Sequence, residues 1–416
     1  MTQIARASLI RLLSESGAQG LDPTAVSFLG ADDLYAGPFQ TGHVTGVALA
    51  AAALAHRPDA RFTLDLDHAA LMSEGYRHVL LDGQSVAAPR DPLTGFYDTS
   101  DGRQIFLHVN FPHHRQRALA LLRAEPERRS LEQAIRAWTI PVLDAALMAA
   151  GAISAPVLAP DEWRDLTQKL PLVSIDKIGD SPPIHMETPR VIDFTRVLAG
   201  PTCGRLLAEQ GADVTRIDNP LYPDLMSYRL DANRNKTELT LDLRAPDQRE
   251  QLLHLIQSAD VFLHAYRPGV AEREGLSAQA LCAQHPGLIH ASLSAYDEGT
   301  VFAGRRGFDS AVQAASGMAM VQGDGTASLL PTSPLDYAAG FLLAFGVNEA
   351  LRRRAREGGS YRVRTSLARV ASWIMDLRRT TALPENKERL AQMMAHHAQD
   401  SVTPMGVIRH IASPIF

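Results

Sequence analysis

"VIDFTRVLAGPTCGRLLAEQGADVTRID", residues Val191–Asp218, decides the fold of the second half of this chain. An apolar run, a loop, a helix-forming segment ended by Gly211 and a second apolar run follow one another, which is the outline of a mononucleotide-binding unit. The loop reads Thr-Arg-Val-Leu-Ala-Gly-Pro at 195–201 and lacks the G-x-G-x-x-G motif that holds a dinucleotide. It nevertheless follows the carboxyl end of a strand, where open parallel sheets bind their ligands.

The same alternation continues beyond this unit and predicts the fold class. After the first strand (191–194) and helix (201–210), we expect strands at 214–217, 239–243, 261–264 and 288–293, with helices at 248–258 and 278–284. Strands that alternate with helices favour an α/β fold, here a Rossmann-like open parallel sheet with helices on both faces.

The first half of the sequence mixes helix-like and strand-like patterns and predicts a smaller α+β domain. Residues 95–111 contain two β-prone runs around Ser-Asp-Gly, which is typical of a hairpin. A proline-rich polar stretch at 177–190 marks the boundary. We therefore predict a domain of residues 1–185, which also carries arm segments, and a Rossmann-like domain of residues 186–416.

Composition excludes several classes of function. The net charge of -5 argues against a nucleic-acid partner. The only cysteines, Cys203 and Cys282, indicate a reducing compartment and provide no cysteine cluster for a metal site. The sequence contains no apolar run long enough to span a membrane and no signal-peptide pattern at its N-terminus. A cytoplasmic protein with no metal is expected.

An internal repeat is also indicated. Residues 41–72 and 334–371 share a short polar lead, a glycine, a long apolar helix, an arginine-containing turn and an alternating strand. With Gly46 placed on Gly340, Gly42 stands opposite Asp336. Shared helix composition would produce the same periodicity, so duplication and chance both remain open.

Asp336, in "TSPLDYAAGFLLAFG", is the main candidate for chemistry. It comes just before a strongly apolar helix that Pro334 introduces, so one interpretation is a carboxylate that caps the helix. The other interpretation is a nucleophile: a carboxylate with an ordinary pKa of about 3.9 is ionised at neutral pH. Such a group would attack an activated acyl carbon without a general base.

Three loops at strand ends supply weaker candidates for ligand binding. Arg196 follows the first strand, the segment "AYRPGVAEREG" offers Tyr266 with two arginines for phosphates, and Tyr296 stands where a loop would close over a ligand. Solvated turn residues explain the same pattern. The neighbouring histidines His113 and His114 predict ordinary surface or core positions, because adjacent side chains make a poor pair of metal ligands.

Six stretches together resemble family III CoA-transferases of the CaiB/BaiF type, the group that includes formyl-CoA and carnitine CoA-transferases and the α-methylacyl-CoA racemases. They occur in the family's order at 191–220, 233–243, 259–276, 288–299, 304–318 and 333–345. Two first-half stretches, 96–115 and 143–163, resemble segments that the family normally places after the aspartate motif. The chain is therefore similar to a rearranged or partly duplicated member, in which only the second copy carries the aspartate.

The resemblance implies an activity and its residues. Asp336 matches the nucleophile, and the mechanism implied is exchange of CoA between an acyl-CoA and a carboxylic acid through aspartyl anhydrides and an aspartyl-CoA thioester. Coenzyme A and acyl-CoA would be substrates, with no tightly bound cofactor. The positions that match CoA contacts are Arg196, Val197, Leu198, Ala265, Tyr266, Arg273 and Tyr296.

Some features depart from the family and keep alternatives open. Phe308 stands where the racemases have a histidine, and a phenyl ring carries no proton. An α-epimerase or another acyl-CoA-converting enzyme is one alternative, and a non-catalytic CoA-binding protein is another. Family members form interlocked dimers, so a homodimer is implied.

Overall fold

The computed structural model describes residues 2–267 and 269–415. Its strands are β1 (Val26–Leu29), β2 (Phe62–Asp65), β3 (Leu80–Leu81), β4 (Gln84–Ser85), β5 (Gly95–Asp98), β6 (Gln104–His108), β7 (Ile153–Pro156), β8 (Ser174–Gly179), β9 (Arg190–Phe194), β10 (Asp213–Asp218), β11 (Thr237–Thr240), β12 (Val261–His264), β13 (Ile289–Ser294), β14 (Ser360–Ser366), β15 (Ala398–Thr403) and β16 (Gly406–Ile411).

The helices alternate with these strands through most of the chain. They are α1 (Thr2–Glu15), α2 (Thr41–His56), α3 (Leu66–Met72), α4 (Pro112–Leu122), α5 (Arg128–Ile135), α6 (Ile140–Ala149), α7 (Pro160–Leu166), α8 (Ala199–Glu209), α9 (Met226–Ala232), α10 (Pro246–Gln257), α11 (Val270–Arg273), α12 (Ala278–Gln284), α13 (Asp309–Ala315), α14 (Met318–Gln322), α15 (Pro334–Glu357), α16 (Leu367–Asp376) and α17 (Lys387–His397). None of the helices in the described residues combines the length and the apolar composition that crossing a bilayer requires.

The main sheet confirms the predicted α/β class. Its seven strands lie in the order β11-β10-β9-β12-β13-β14-β8, and all neighbours are parallel except β14 and β8. The central strand β12 is buried along its whole length, as expected for a strand covered on both faces. The strand order reverses its direction at β9 and β12, so the loops that follow these two strands open onto a crevice suited to a ligand.

A second, three-stranded antiparallel sheet (β5-β6-β7) belongs to a smaller α+β unit. The predicted hairpin is present as β5 and β6, and α4, α5 and α6 pack with it around a separate apolar core. The observed fold class is thus the one expected from the sequence: a parallel sheet with helices, plus a smaller α+β unit.

The predicted division at residue 185 stays a prediction, although several contacts cross it. Edge strand β8 comes from the first half, and the largest apolar core contains residues from both halves. The C-terminal hairpin β15–β16 also pairs with β3 from the first half.

The two repeated segments have the same order of elements. Helix α2, strand β2 and helix α3 correspond to α15, β14 and α16, and each of the two strands pairs in parallel with an earlier strand, β2 with β1 and β14 with β13. The final helix of each unit begins with a capped N-terminus: Asp65 accepts from the N–H of Asp67, and Ser366 accepts from that of Arg369. Helices α2 and α15 pack against each other in the core, which explains why nearly all of α2 and residues 334–350 of α15 are buried.

Candidate active site

The loop after β9 is fixed by a buried ion pair. The Lys236 ammonium lies 2.8 Å from a carboxylate oxygen of Asp193, and both side chains are fully buried. Lys236 also donates to the carbonyl oxygen of Pro201, and Asp193 accepts from the backbone N–H of Thr195. The pair therefore ties both ends of loop 195–201 to the sheet.

Val197, in the middle of this loop, has a φ of +69°, which is unfavourable for a β-branched residue. Its N–H donates to the Asp224 carboxylate, at 3.1 Å, and the Arg216 guanidinium holds that carboxylate at 2.8 Å. This chain of contacts stabilises the strained conformation, as is common where backbone must approach a ligand.

Asp336 lies in the first turn of α15, and its amide is held by a second carboxylate. Asp309, the first residue of α13, accepts from the N–H groups of Leu335 (2.8 Å) and Asp336 (3.2 Å) with the same oxygen. Gln313 donates to the other oxygen of Asp309. Because Asp309 occupies the N–H groups at the start of the helix, the Asp336 side chain is left without a hydrogen bond or an ion pair among the described residues.

The charge state of Asp336 differs from the expectation. Burial raises the pKa of Asp336 well above its ordinary value, and the nearby charge of Asp309 raises it further. Burial also raises the pKa of Asp309 to about 6. The ordinary pKa assumed from the sequence was wrong because Asp336 is only 9% exposed and shares its surroundings with another carboxyl group.

Two cavities meet at Asp336. The first, which we call the loop cavity, has a volume of about 400 Å³ and is lined by loop 195–200, residues 265–267 and the side of α4 that carries His113. The second, the arginine cavity, has a volume of about 850 Å³ and is lined by Tyr76, Arg77, Arg90 and Tyr228, among others. Phe111, Val197, Phe308 and Asp336 line both cavities.

In the part of the chain that the structure describes, the start of α2, which corresponds to the start of α15, offers no such site. There, the Asp32 carboxylate accepts from the N–H groups of Gly42 and His43, both at 2.8 Å, with one oxygen for each, whereas Asp309 uses a single oxygen at the start of α15. A Cβ atom at Gly42 would lie 2.0 Å from the carbonyl oxygen of Leu66 and 2.7 Å from the Asp32 carboxylate. No side chain fits at this position.

A comparison with known families now identifies the second half of the chain. The model of CoA-transferase family III matches residues 186–409, which is more than half of the chain. The chain belongs to CoA-transferase family III.

Individual relatives of this family III chain match over a shorter length. A probable fatty acyl-CoA transferase of Mycobacterium tuberculosis is 36% identical over 197 residues, which are 44% of this chain and 50% of the relative. The alpha subunit of a succinyl-CoA–L-malate CoA-transferase of Chloroflexus aurantiacus is 36% identical over 185 residues, 41% of this chain and 43% of that subunit. The chain spans about half the length of the curated relatives it matches.

Solved structures resemble the chain over a similar share. A crystal structure of a Mycobacterium tuberculosis protein is 34% identical in sequence, with a TM-score of 0.43, and the match covers 48% of this chain and 58% of that one. A CaiB/BaiF family protein from Brucella suis is 26% identical, with a TM-score of 0.41 over 45% of this chain.

The structure brings together most residues that the family resemblance singled out. Arg196, Val197 and Leu198 line the loop cavity, as do Ala265, Tyr266 and Asp336; the roles assigned to these residues stay predictions.

Two residues of the expected family III site lie elsewhere. Tyr296 is buried with its ring stacked on Phe302, 5.2 Å between centroids, and lines a different cavity. Arg273 is exposed at the end of the short helix α11 and does not line the loop cavity. A strand end fixes where the following segment starts, but it does not fix which of the later residues reach the cavity.

Several residues of the site were missed. His113 and His114 line the loop cavity, which their adjacency in the sequence did not indicate, and His114 is a buried histidine as expected. Burial lowers the pKa of His114 to about 3, so this ring is neutral. Asp309 could have been found in the sequence, since it lies beside Phe308 in a motif that carries the family resemblance.

The loop cavity is basic. Four arginines line it: Arg117, Arg196, Arg267 and Arg306. Burial lowers the pKa of Arg267 and of Arg306, and the charges of neighbouring arginines lower them further. Within residues 2–267 and 269–415, no group of three or more His, Cys, Asp or Glu side chains is arranged to hold a metal ion.

Proposed function

We propose that this chain transfers CoA between an acyl-CoA thioester and a free carboxylic acid, with Asp336 as the nucleophile. The observation that carries the proposal is the position of the Asp336 carboxyl group, which has no partner among the described residues and lines two cavities at once. A group so placed reaches a thioester that enters from one side and an acid that enters from the other.

Coenzyme A would occupy the loop cavity. CoA carries a diphosphate and a 3′-phosphate, and the four arginines of the cavity complement this negative charge. Tyr266 offers a ring on which an adenine would stack, and loop 195–200 would lie along the pantetheine with the thiol end near Asp336. Coenzyme A is then a substrate, and no tightly bound cofactor is needed.

The first half of the reaction moves CoA from the donor acyl group to the Asp336 carboxyl group. An ionised oxygen of Asp336 attacks the thioester carbonyl carbon, the C–S bond breaks, and a mixed anhydride and CoA thiolate form. The thiolate then attacks the aspartyl carbonyl carbon of the anhydride, which releases the donor acid as a carboxylate. Asp336 is left as an aspartyl-CoA thioester, and bound CoA makes both steps effectively unimolecular.

The second half reverses these bond changes with the acceptor. The acceptor carboxylate attacks the aspartyl-CoA carbonyl carbon and expels the thiolate, which gives a second mixed anhydride. The thiolate attacks the acceptor's acyl carbon, so the new acyl-CoA forms and the Asp336 carboxylate is restored. Asp309 takes no part in bond making; it holds the start of α15 through the two backbone N–H groups.

The test compares two aspartates that open helices. Asp336→Ala should abolish exchange of labelled CoA between an acyl-CoA and an acid, whereas Asp247→Ala, at the exposed start of α10, should retain it. Hydroxylamine added with the donor should leave a hydroxamate on Asp336, detectable by peptide mass spectrometry. Full exchange activity in Asp336→Ala would reject the proposal.

The alternative of α-epimerisation predicts a different result. It would exchange the Cα hydrogen of an acyl-CoA for deuterium in heavy water without any acceptor acid. Phe308 lies at the junction of the two cavities and has no proton to give, so we expect no such exchange. The homodimer and the cytoplasmic location stay predictions from the sequence.

A further inference from the structure

The residue that follows the candidate nucleophile is buried, and its hydroxyl both donates and accepts a hydrogen bond. Tyr337 donates to the Asp231 carboxylate at 2.8 Å and accepts from the backbone N–H of Tyr76 at 3.0 Å. Burial raises the pKa of Tyr337 well above its ordinary value, and the charge of Asp231 raises it further, so the hydroxyl keeps its proton. Tyr337 therefore ties the first turn of α15 to two other parts of the fold.

Asp231 is a fixed anchor for this hydroxyl. Arg205 and Arg234 each lie 3.0 Å from one of the Asp231 carboxylate oxygens, and both guanidinium groups are buried. Although burial acts in the opposite direction, the charges of the two arginines hold the pKa of Asp231 below its ordinary value. The carboxylate is thus ionised and held from two sides, so it offers the tyrosine hydroxyl an acceptor of fixed position.

The segment of residues 73–77, from the first half of the chain, lies against the start of α15. The N–H of Ser333 donates to the carbonyl oxygen of Ser73 at 2.8 Å, and the Arg77 guanidinium donates to that of Pro331, also at 2.8 Å. The same segment forms part of the wall of the arginine cavity. The start of the helix and this part of the cavity wall are therefore joined by direct hydrogen bonds.

Tyr337 and Asp309 hold the first turn of α15 at two different points. A single oxygen of Asp309 accepts from the N–H groups of Leu335 and Asp336, and a contact at one point does not by itself fix the rotation of the turn. Consecutive residues of an α-helix point about 100° apart around its axis, so Tyr337 attaches the turn on another side. The two attachments together fix the rotation of the turn, and with it the direction of the Asp336 carboxyl group.

We propose that Tyr337 is a positioning residue for the nucleophile: its hydroxyl, held between Asp231 and the N–H of Tyr76, sets the direction of the Asp336 carboxyl group relative to the wall of the arginine cavity. Tyr337 lines neither the loop cavity nor the arginine cavity, so it acts through the helix and not through a contact with substrate. This proposal rests on the proposed transfer function, because it assigns a residue that supports the same site.

Two tyrosine variants that remove buried hydroxyls at opposite ends of α15 provide the test. The Tyr361 hydroxyl contacts the Glu357 carboxylate at 3.0 Å and the Gly358 carbonyl oxygen at 3.1 Å, about 30 Å along the helix from Asp336. Tyr337→Phe should lower kcat for CoA exchange by about tenfold to a hundredfold, whereas KM for the acyl-CoA should stay within about twofold of the native value. Tyr361→Phe should retain the native kcat and KM. Urea denaturation shows whether both variants are folded.

Gly75→Ala tests the same contact without removing a hydrogen-bonding group. A Cβ atom at Gly75 would lie 3.3 Å from the Tyr337 hydroxyl oxygen and 3.5 Å from an Asp231 carboxylate oxygen, so the hydroxyl would have to shift slightly. We expect kcat to fall by about twofold to fivefold, less than in Tyr337→Phe. If Tyr337→Phe does not fold, a lowered kcat in Gly75→Ala supports the proposal and an unchanged kcat overturns it.

The outcomes separate this proposal from the proposed function. A folded Tyr337→Phe protein with the native kcat, or an equal loss of kcat in Tyr337→Phe and Tyr361→Phe, overturns the positioning role and leaves the transfer function standing. If the native chain exchanges no CoA, the transfer function fails, and modification of Asp336 by a water-soluble carbodiimide and a labelled amine decides. A rate of labelling at Asp336 that changes in Tyr337→Phe but not in Tyr361→Phe supports the positioning role. Equal rates in all three proteins, or an equal change in both variants, overturn it.

Discussion

Asp309 both positions Asp336 and raises its pKa. One oxygen of the Asp309 carboxylate lies 3.2 Å from the amide nitrogen of Asp336, and the charge of Asp309 adds to the effect of burial on the neighbouring carboxyl group. The structure therefore places the candidate nucleophile in surroundings that favour its protonated form, whereas attack on a thioester needs the ionised form.

The site favours the protonated form of Asp336, whereas the attack needs the ionised form, and the pH dependence of the reaction should show this. Because the pKa of Asp336 is raised, kcat/KM should increase as pH rises through that value, well above the range of an ordinary aspartate. Asp309→Asn removes the charge but keeps an oxygen that accepts from the two N–H groups, so it should move the acidic limb of the profile to lower pH. A profile of kcat/KM from about pH 5 to about pH 9 for both proteins provides the test, and an unshifted limb in the variant would contradict it.

Replacing Asp336 should stabilise the fold while it removes activity. The native state holds the proton more tightly than the unfolded chain, so the contribution of Asp336 to stability is fully present below its unfolded pKa and is lost as pH rises through the folded pKa. Asp336→Asn should therefore raise the free energy of unfolding near pH 8.

Urea denaturation at about pH 4 and about pH 8 measures this effect. The gain from Asp336→Asn should be larger at the higher pH, because the native aspartate is protonated at the lower one. Asp247→Asn, at an exposed helix start, serves as the control and should change little at either pH. A loss of stability in Asp336→Asn at the higher pH would show that the carboxylate is satisfied in the native state.

The buried pair Asp193–Lys236 should be the costliest contact of the site to break. Lys236→Met leaves the Asp193 carboxylate buried without its cation, and we expect a loss of about 3–5 kcal/mol in the free energy of unfolding. Arg103→Met is the matched control, because Arg103 forms an ion pair of the same 2.8 Å length with Glu162 at an exposed position. Exposed pairs contribute at most about 1 kcal/mol.

A double variant separates charge from packing. Asp193→Leu combined with Lys236→Met removes both charges, so it should recover much of the stability lost by Lys236→Met alone. Failure to recover would indicate that the hydrogen bonds to Thr195 and Pro201, rather than the ion pair, hold the loop.

A side chain introduced at Gly42 should damage the fold without creating a second site. Gly42→Asp gives the first copy the residue type that Asp336 provides in the second, but its Cβ atom would overlap the carbonyl oxygen of Leu66. We expect a loss of about 3 kcal/mol in the free energy of unfolding, at the upper end for overpacking. A fully stable Gly42→Asp protein that forms a hydroxamate at position 42 would contradict this account.

The sequence predicted the parallel sheet because buried strands read as short apolar runs between helices. It also pointed to Asp336, because an aspartate at the start of a strongly apolar helix is a local pattern. The charge state of Asp336 could not be predicted from the sequence, because both the burial of Asp336 and the proximity of Asp309 come from tertiary packing.

Loop geometry accounts for the remaining differences. Tyr296 and Arg273 follow strand ends as expected, but neither residue lines the loop cavity.

The lack of space beside Gly42 also predicts how many covalent equivalents of donor each polypeptide can bind. Although each polypeptide contains two helix–strand–helix segments with the same order of elements, only one of them, within the described residues, leaves a helix start open to a cavity. Labelled donor should consequently saturate each polypeptide at one covalent equivalent. The other unit then serves as a scaffold whose helix α2 supports the helix that carries the reactive side chain.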